Sequence, residues 1–235
     1  MGRVFEKRKY TMFARFDKMA KTFTRIGREI AIAVKQNGPD PHNNPRLRMV
    51  MQNAKANNMP KDRVEAAIKR ASTKDEKNFE EIVYEGYGPY GVPLLLECAT
   101  DNPTRTVANV RMYFTRGGGE LGKTGSLDFV FERKGVFKLS AKEINIEEFE
   151  LEMIDHGMEE VEIEGEELFI YTAFTDFGKM QKALETKGIA ILSAEKVRIP
   201  TTTIELNETQ QKEILELVDK MEEDDDVQSV YHNMK

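Results

Sequence analysis

Residues 117–124 read GGGELGKT, which satisfies the phosphate-cradling pattern G-x-x-x-x-G-K-[ST] at every fixed position and ends in Lys123 and Thr124. A nucleotide-binding loop requires a strand leading in and a helix leading out, so that backbone N–H groups and the positive end of the helix converge on a phosphate. Here the preceding DNPTRTVANVRMYFTR has helical period, with Asn102 before Pro103 at its start and Val107, Val110 and Phe114 on one side. The following SLDFVFE alternates like a strand through Leu127, Phe129 and Phe131. Helix, loop, strand is the opposite order, so the first glycines read as a helix stop and the rest as a turn. Lys123 then remains as a positive charge on an exposed loop. A P-loop-type nucleotide-binding enzyme becomes the remote alternative; no cofactor and no small-molecule substrate are expected.

Working outward, Ile82 and Tyr84 alternate before GYGPYG, and Val92, Leu94, Leu96 and Cys98 alternate after it, with Pro93 at an edge or strand start. Gly86, Gly88 and Gly91 match the dinucleotide fingerprint, yet a strand follows where a helix is needed, so the glycines read as a hairpin turn. Toward the C-terminus TTTIEL reads as a strand. Asn207 then caps a helix with Ile214, Leu217, Val218 and Met221 inward, and VQSVYHNM supplies a last strand. Between lies a second series of helix, strand, strand, helix, strand: EEFELEMIDHG, EEVEIEGEELFIYTAF, GKMQKALETKG and IAILSAEK. The reading is α+β: an N-terminal helical domain over 1–78, a discontinuous α+β domain over 79–136 plus 196–235, and an inserted acidic α+β domain over 137–195, the latter two sandwich-like. Spacing alone also allows three domains in simple succession.

Charge divides the chain sharply. Residues 1–70 carry 17 Lys and Arg against 6 Asp and Glu, and the remainder 18 against 35, within a net charge of −6 over 235 residues. A basic end joined to an acidic body points to a polyanionic partner met by one face only. The single Cys98 excludes an internal disulfide, and His42, His156 and His232 lack metal-ligand spacing. No apolar run is long enough to span a bilayer, so a soluble cytoplasmic protein is expected, with no membrane partner.

In the basic segment Met12, Phe16, Met19, Phe23, Ile26, Ile30 and Val34 advance in steps of three and four, the stripe of one helix. Arg15, Lys18, Arg25 and Arg28 follow similar steps on another face. Two further helices open at NPRLRMVMQNAKA and MPKDRVEAAIKRA, the first capped by Asn44 with Pro45 in the first helical position, the second opened by Pro60. Leu47, Val50 and Ala54 face inward from one, and Val64, Ala67, Ile68 and Ala71 from the other. Candidate nucleic-acid-binding cations are Lys7, Arg8, Lys9, Arg15, Lys18, Lys21, Arg25, Arg28, Arg46, Arg48, Lys55, Lys61, Arg63, Lys69 and Arg70, with Arg105, Arg111, Arg116 and Lys123 as secondary candidates. The helix pair fits a DNA-reading helix-turn-helix and equally a hairpin that grips phosphates without reading bases.

NPRLRMVMQNAKANNMPKDRVEAAIKRA, YEGYGPYGV, ECATDNPTRTVANVR and GGGELGKTGSLDFVFERKG together resemble the YebC/PmpR family, which also includes a mitochondrial translational activator of a cytochrome oxidase subunit. The resemblance runs across nearly the whole chain and is strongest over 44–135. It implies three domains, a cytoplasmic or organellar location and a role in gene expression without enzymatic chemistry. Both DNA-binding transcriptional regulators and ribosome-associated translation factors have been described in the family. Its usual Gly-His-Ser-Lys-Trp start is replaced here by MGRVFEKRKYTMFARF, and the chain holds no tryptophan, so no role of that His or Trp carries over. The first ten residues are expected to form a flexible arm that orders on its target.

The insert holds twelve Asp and Glu and one Lys between Lys142 and Glu167. With no nearby His ligand set and no D-x-D-x-D-G loop, it reads as a solvated surface that can face a basic protein such as a ribosomal component. The expectation is a non-enzymatic nucleic-acid-binding regulator whose target is ribosomal RNA or duplex DNA. It leans toward a ribosome-associated translation factor, with a DNA-binding transcriptional regulator as the alternative.

Overall fold

The computed structural model describes residues 19–73, 78–142 and 144–235. Lys7, Arg8, Lys9, Arg15 and Lys18, and the arm expected over the first ten residues, lie outside these.

Three helices come first: α1 (Met19–Asn37), α2 (Pro45–Ala56) and α3 (Lys61–Ala71). Their apolar stripes close a core of Ile26, Ile30, Ala33, Val34, Leu47, Val50, Ala54, Val64, Ala67 and Ala71, with Ile68 half-buried against it. Asn44 joins two of the helices. Its Oδ1 accepts from the Leu47 N–H at 3.0 Å, capping α2, while its Nδ2 donates to Ala33 O and Gly38 O at 2.8 Å each, tying down the end of α1. Pro60 is the cap residue of α3 rather than its first helical residue, so the sequence reading was one position early.

Then follow β1 (Glu80–Tyr87), β2 (Pro93–Thr100), α4 (Pro103–Arg116), β3 (Glu120–Leu121), β4 (Phe131–Ser140), α5 (Ile146–Ile154), β5 (Met158–Glu164), β6 (Glu167–Ala173), α6 (Phe177–Thr186), β7 (Ile191–Pro200), α7 (Glu208–Glu222) and β8 (Val227–His232). They build two antiparallel four-stranded sheets, ordered β3-β1-β2-β8 and β5-β6-β4-β7. Helices α4 and α7 cover one face of the first sheet, where Leu94, Leu96, Cys98, Val110, Phe114, Ile214 and Leu217 meet. Helices α5 and α6 cover one face of the second through Phe137, Leu139, Phe149, Met153, Ile170, Met180 and Leu184. The opposite faces share a further core of Leu95, Val136, Phe169, Tyr171, Val197, Ile199 and Tyr231. Strand β2 is therefore buried on both sides, which is why PLLLEC is apolar without alternation. In that setting burial, with Asp224 and Asp226 nearby, pushes the Cys98 thiol up to about 12.

Of two strands expected from the sequence, SLDFVFE is strand only from Phe131, where β4 begins, and TTTIEL does not form one. Residues 124–130 are turns, with Val130 and Phe131 N–H both bonding back to Leu127 O. The buried positions Leu127, Val130 and Phe131 follow helical steps, and Phe129 points to solvent at 74% exposure. TTTIEL forms a single bridge, Ile204 with Met234, because only Ile204 finds strand partners.

The helical unit is fastened to both sheets. Asn53 of α2 donates to Ala194 O at 2.7 Å and accepts from Ala194 N–H at 2.9 Å, completing the outer edge of β7 as a neighbouring strand would.

Candidate nucleic-acid interface

The cations of the helical unit divide by what they touch. Arg25 of α1 donates to Val227 O and Glu222 O at 3.1 Å each. Arg28, one turn on, donates to Ala99 O at 2.6 Å and pairs with Asp226 at 2.7 Å. Asp226 also accepts from Arg105 at 2.7 Å, Thr106 at 2.7 Å and Thr100 at 3.2 Å. Burial alone would raise the Asp226 pKa, but the hydrogen bonds from Arg105, Thr106 and Arg28 outweigh it and hold the carboxyl below its ordinary range. Arg46 forms a two-pronged pair with Glu81, and Arg48 one with Glu185. These four arginines reach from the helical unit to the sheets or to the helices that cover them, Arg48 to α6.

The remaining cations face outward. Lys55 near the end of α2, and Lys61, Arg63, Lys69 and Arg70 on α3, are exposed; Lys21 is half-buried on α1. Among the described residues only Lys61 of these exposed five has a carboxylate partner, Glu65 one turn away at 3.5 Å, a solvated pair of small strength. Lys69 and Arg70 also sit in the last turn of α3, where its dipole favours positive charge.

Between α1 and α3 runs a cleft of about 460 Å³, lined by Phe23, Gly27, Arg28, Met59, Arg63, Arg70 and Phe79. Gly27 borders open space: a Cβ there would meet nothing within 4 Å. Arg63 lies 5.9 Å from the centre of the Phe23 ring and Arg28 5.1 Å from that of Phe79. The cleft thus has aromatic surfaces and, in Arg63 and Arg70, exposed guanidiniums on its rim, a combination suited to stacking bases and holding phosphates, while Arg28 is taken up by Asp226. Sequence reasoning placed Phe23 in a core stripe and passed over Phe79. Only a basic helix carrying an aromatic residue pointed to the first, and no sequence signal pointed to the second.

Of the secondary candidates, Arg105 is engaged by Asp226 and by Asp101, the latter at 2.8 Å. Arg111, Arg116 and Lys123 are exposed and form no ion pair among the described residues. The loop that carries Lys123 folds around an anion belonging to the protein. Glu85, 3% exposed, accepts from Gly125 N–H at 2.9 Å, Leu127 N–H at 2.7 Å and Ser126 Oγ at 3.3 Å. The amides after Lys123 that a phosphate would need therefore already hold a carboxylate.

Among the described residues no group of three or more His, Cys, Asp and Glu is placed to hold a metal, and no helix is long and apolar enough to cross a membrane.

Comparison with known proteins places this geometry. The family profile described as the TACO1/YebC protein N-terminal domain matches residues 3–74, and that of the TACO1/YebC second and third domain matches residues 79–234. A protein of Cytophaga hutchinsonii named a probable transcriptional regulatory protein is 60% identical over 234 residues, covering 100% of this chain and 98% of the relative. One of Anaeromyxobacter dehalogenans with a similar name is 56% identical over 239 residues, covering 100% of both. Among solved structures, the crystal structure of a conserved hypothetical protein from Aquifex aeolicus aligns with a TM-score of 0.77 at 37% identity, over 94% of this chain and 93% of that one. With profiles covering almost its full length and relatives matched from end to end, the chain belongs to the TACO1/YebC family.

Proposed function

We propose that the protein is a non-enzymatic, cytoplasmic regulator of gene expression that holds nucleic acid against the outer face of its helical unit. The observation that carries this reading is the division among the cations. Arg25, Arg28, Arg46 and Arg48 are engaged within the molecule, whereas Lys55, Arg63, Lys69 and Arg70 stand exposed with no carboxylate partner among the described residues. Crowded cations repel one another until a polyanion binds, when they take the place of the counterions condensed on it and release those to solution. The aromatic cleft beside them favours RNA, because Phe23 and Phe79 offer ring surfaces that an unstacked base can reach and a paired base cannot. This supports a ribosome-associated translation factor, with the acidic surface of the second sheet's unit turned toward basic ribosomal proteins. The names of the relatives favour a second reading, a transcriptional regulator on duplex DNA.

Co-sedimentation with ribosomes at physiological salt separates the two. The wild-type chain is expected to sediment, and an Arg63→Gln/Lys69→Gln/Arg70→Gln variant to stay in the supernatant. Failure of the wild type to sediment, together with tight binding to a defined duplex, would replace the translational reading with the transcriptional one.

A further inference from the structure

Away from the helical unit, two cations share one aromatic ring. Arg133 of β4 holds its guanidinium carbon 3.6 Å from the centre of Phe174, and Lys196 of β7 brings its Nζ within 5.2 Å of the same ring. The strand register sets them together: Arg133 pairs with Arg198 and Gly135 with Lys196. Both side chains belong to exposed residues, and neither has a carboxylate partner among the described residues. Their neighbours are already neutralised, Arg46 by Glu81 and Arg198 by Glu97. The cluster therefore carries two positive charges that no carboxylate among the described residues meets in a direct ion pair, although Glu81 and Glu97 act on both from nearby. Desolvation lowers the pKa of both groups, Arg46 and Arg133 adding to it for Lys196 and Arg198 for Arg133, and the partly opposing Glu81 and Glu97 do not cancel it. An anion placed between them relieves that repulsion while the ring holds the two side chains in position.

We propose that Arg133 and Lys196, held on the Phe174 ring, form a second phosphate-binding site that takes a phosphodiester of the strand gripped by the helical unit. The site lies beside Arg46 at the start of α2, where the helical unit abuts the second sheet. This inference rests on the nucleic-acid reading above and extends it to a part of the chain that is acidic overall.

The test is the salt dependence of binding by the full chain to a single-stranded RNA and to a DNA duplex of equal length, read by fluorescence anisotropy. Each lost phosphate contact lowers the slope of log K against log salt by about 0.7 for a single strand or about 0.9 for a duplex. Arg133→Gln/Lys196→Gln, which removes the one phosphate contact of this site, is expected to lower the slope by about 0.7 on RNA or about 0.9 on the duplex, at an unchanged melting temperature. The charge-preserving Arg133→Lys/Lys196→Arg is expected to keep the wild-type slope. A wild-type slope in the Gln variant, beside a reduced one in Arg63→Gln/Arg70→Gln, overturns this site and leaves the helical interface standing. No binding of either polymer by the wild type removes both.

Discussion

Asp226 is 2% exposed, yet it gathers Arg28 from α1, Arg105 and Thr106 from α4 and Thr100 from β2 around one carboxylate. Removing one partner of a buried ion pair strands the other, at about 3–5 kcal/mol. Asp226→Ala is therefore expected to lower unfolding stability by about 3 kcal/mol in a urea titration, and a loss below about 1 would show that the hub is solvated. Its folded pKa lies below the unfolded one, so its contribution is complete above the unfolded value and is lost as pH falls through the folded one. His232 adds a second acid sensitivity. It is 6% exposed, its Nδ1 has no hydrogen-bond partner among the described residues, and burial pushes it from 6.5 down to about 4. A folded value below the unfolded one means full stability above pH 6.5 and a decline as pH falls from 6.5 toward 4. The loss across that window is about 3 kcal/mol, and His232→Leu is expected to flatten it; an unchanged slope in the variant would assign the acid lability elsewhere. None of these partnerships was legible beforehand. Arg28 and Asp226 are 198 residues apart, and each reads alone as an ordinary surface charge.

Among the elements, helices were the most legible, because Asn44, Asn102 and Asn207 each cap with a side chain accepting from the residue three on, and apolar steps follow. The segment after GGGELGKT was misread because alternation at Leu127, Phe129 and Phe131 fits a strand as well as Leu127, Val130 and Phe131 fit a helical turn. What decides is Glu85, which gathers the loop's N–H groups around its carboxylate. Glu85→Ala is expected to leave those donors unsatisfied at a cost of about 2 kcal/mol, measured by thermal unfolding, and ATP at millimolar level should not raise the melting temperature of the wild type. ATP-dependent stabilisation abolished by Lys123→Ala would restore the nucleotide reading. Strand β3 depends on a close approach as well: a Cβ on Gly86 would collide with Glu120 O and the Phe114 ring. Gly86→Ala should cost about 1–3 kcal/mol through overpacking, and a neutral effect would mean that β3 is dispensable.

For the whole molecule, the division of the cations becomes a separation of functions. Arg25→Gln/Arg28→Gln removes the ties from α1 to β2, β8 and the end of α7, so it is expected to lower stability and the cooperativity of unfolding. Neutralising Lys55, Arg63, Lys69 and Arg70 is expected to leave the melting curve unchanged and to weaken binding. The charge asymmetry of the basic end was legible in the sequence, since it is a compositional property, and it is what raises the expectation of a polyanionic partner. It could not show which basic residues are turned inward, since that depends on carboxylates and carbonyls brought near by the fold. The most direct measurement is the affinity of the full chain for single-stranded RNA at physiological salt, wild type against Lys55→Gln/Arg63→Gln/Lys69→Gln/Arg70→Gln. The helical interface predicts a loss of at least about 100-fold and a salt slope lower by about 2.8. Equal affinity and slope in a variant that melts like the wild type would contradict it.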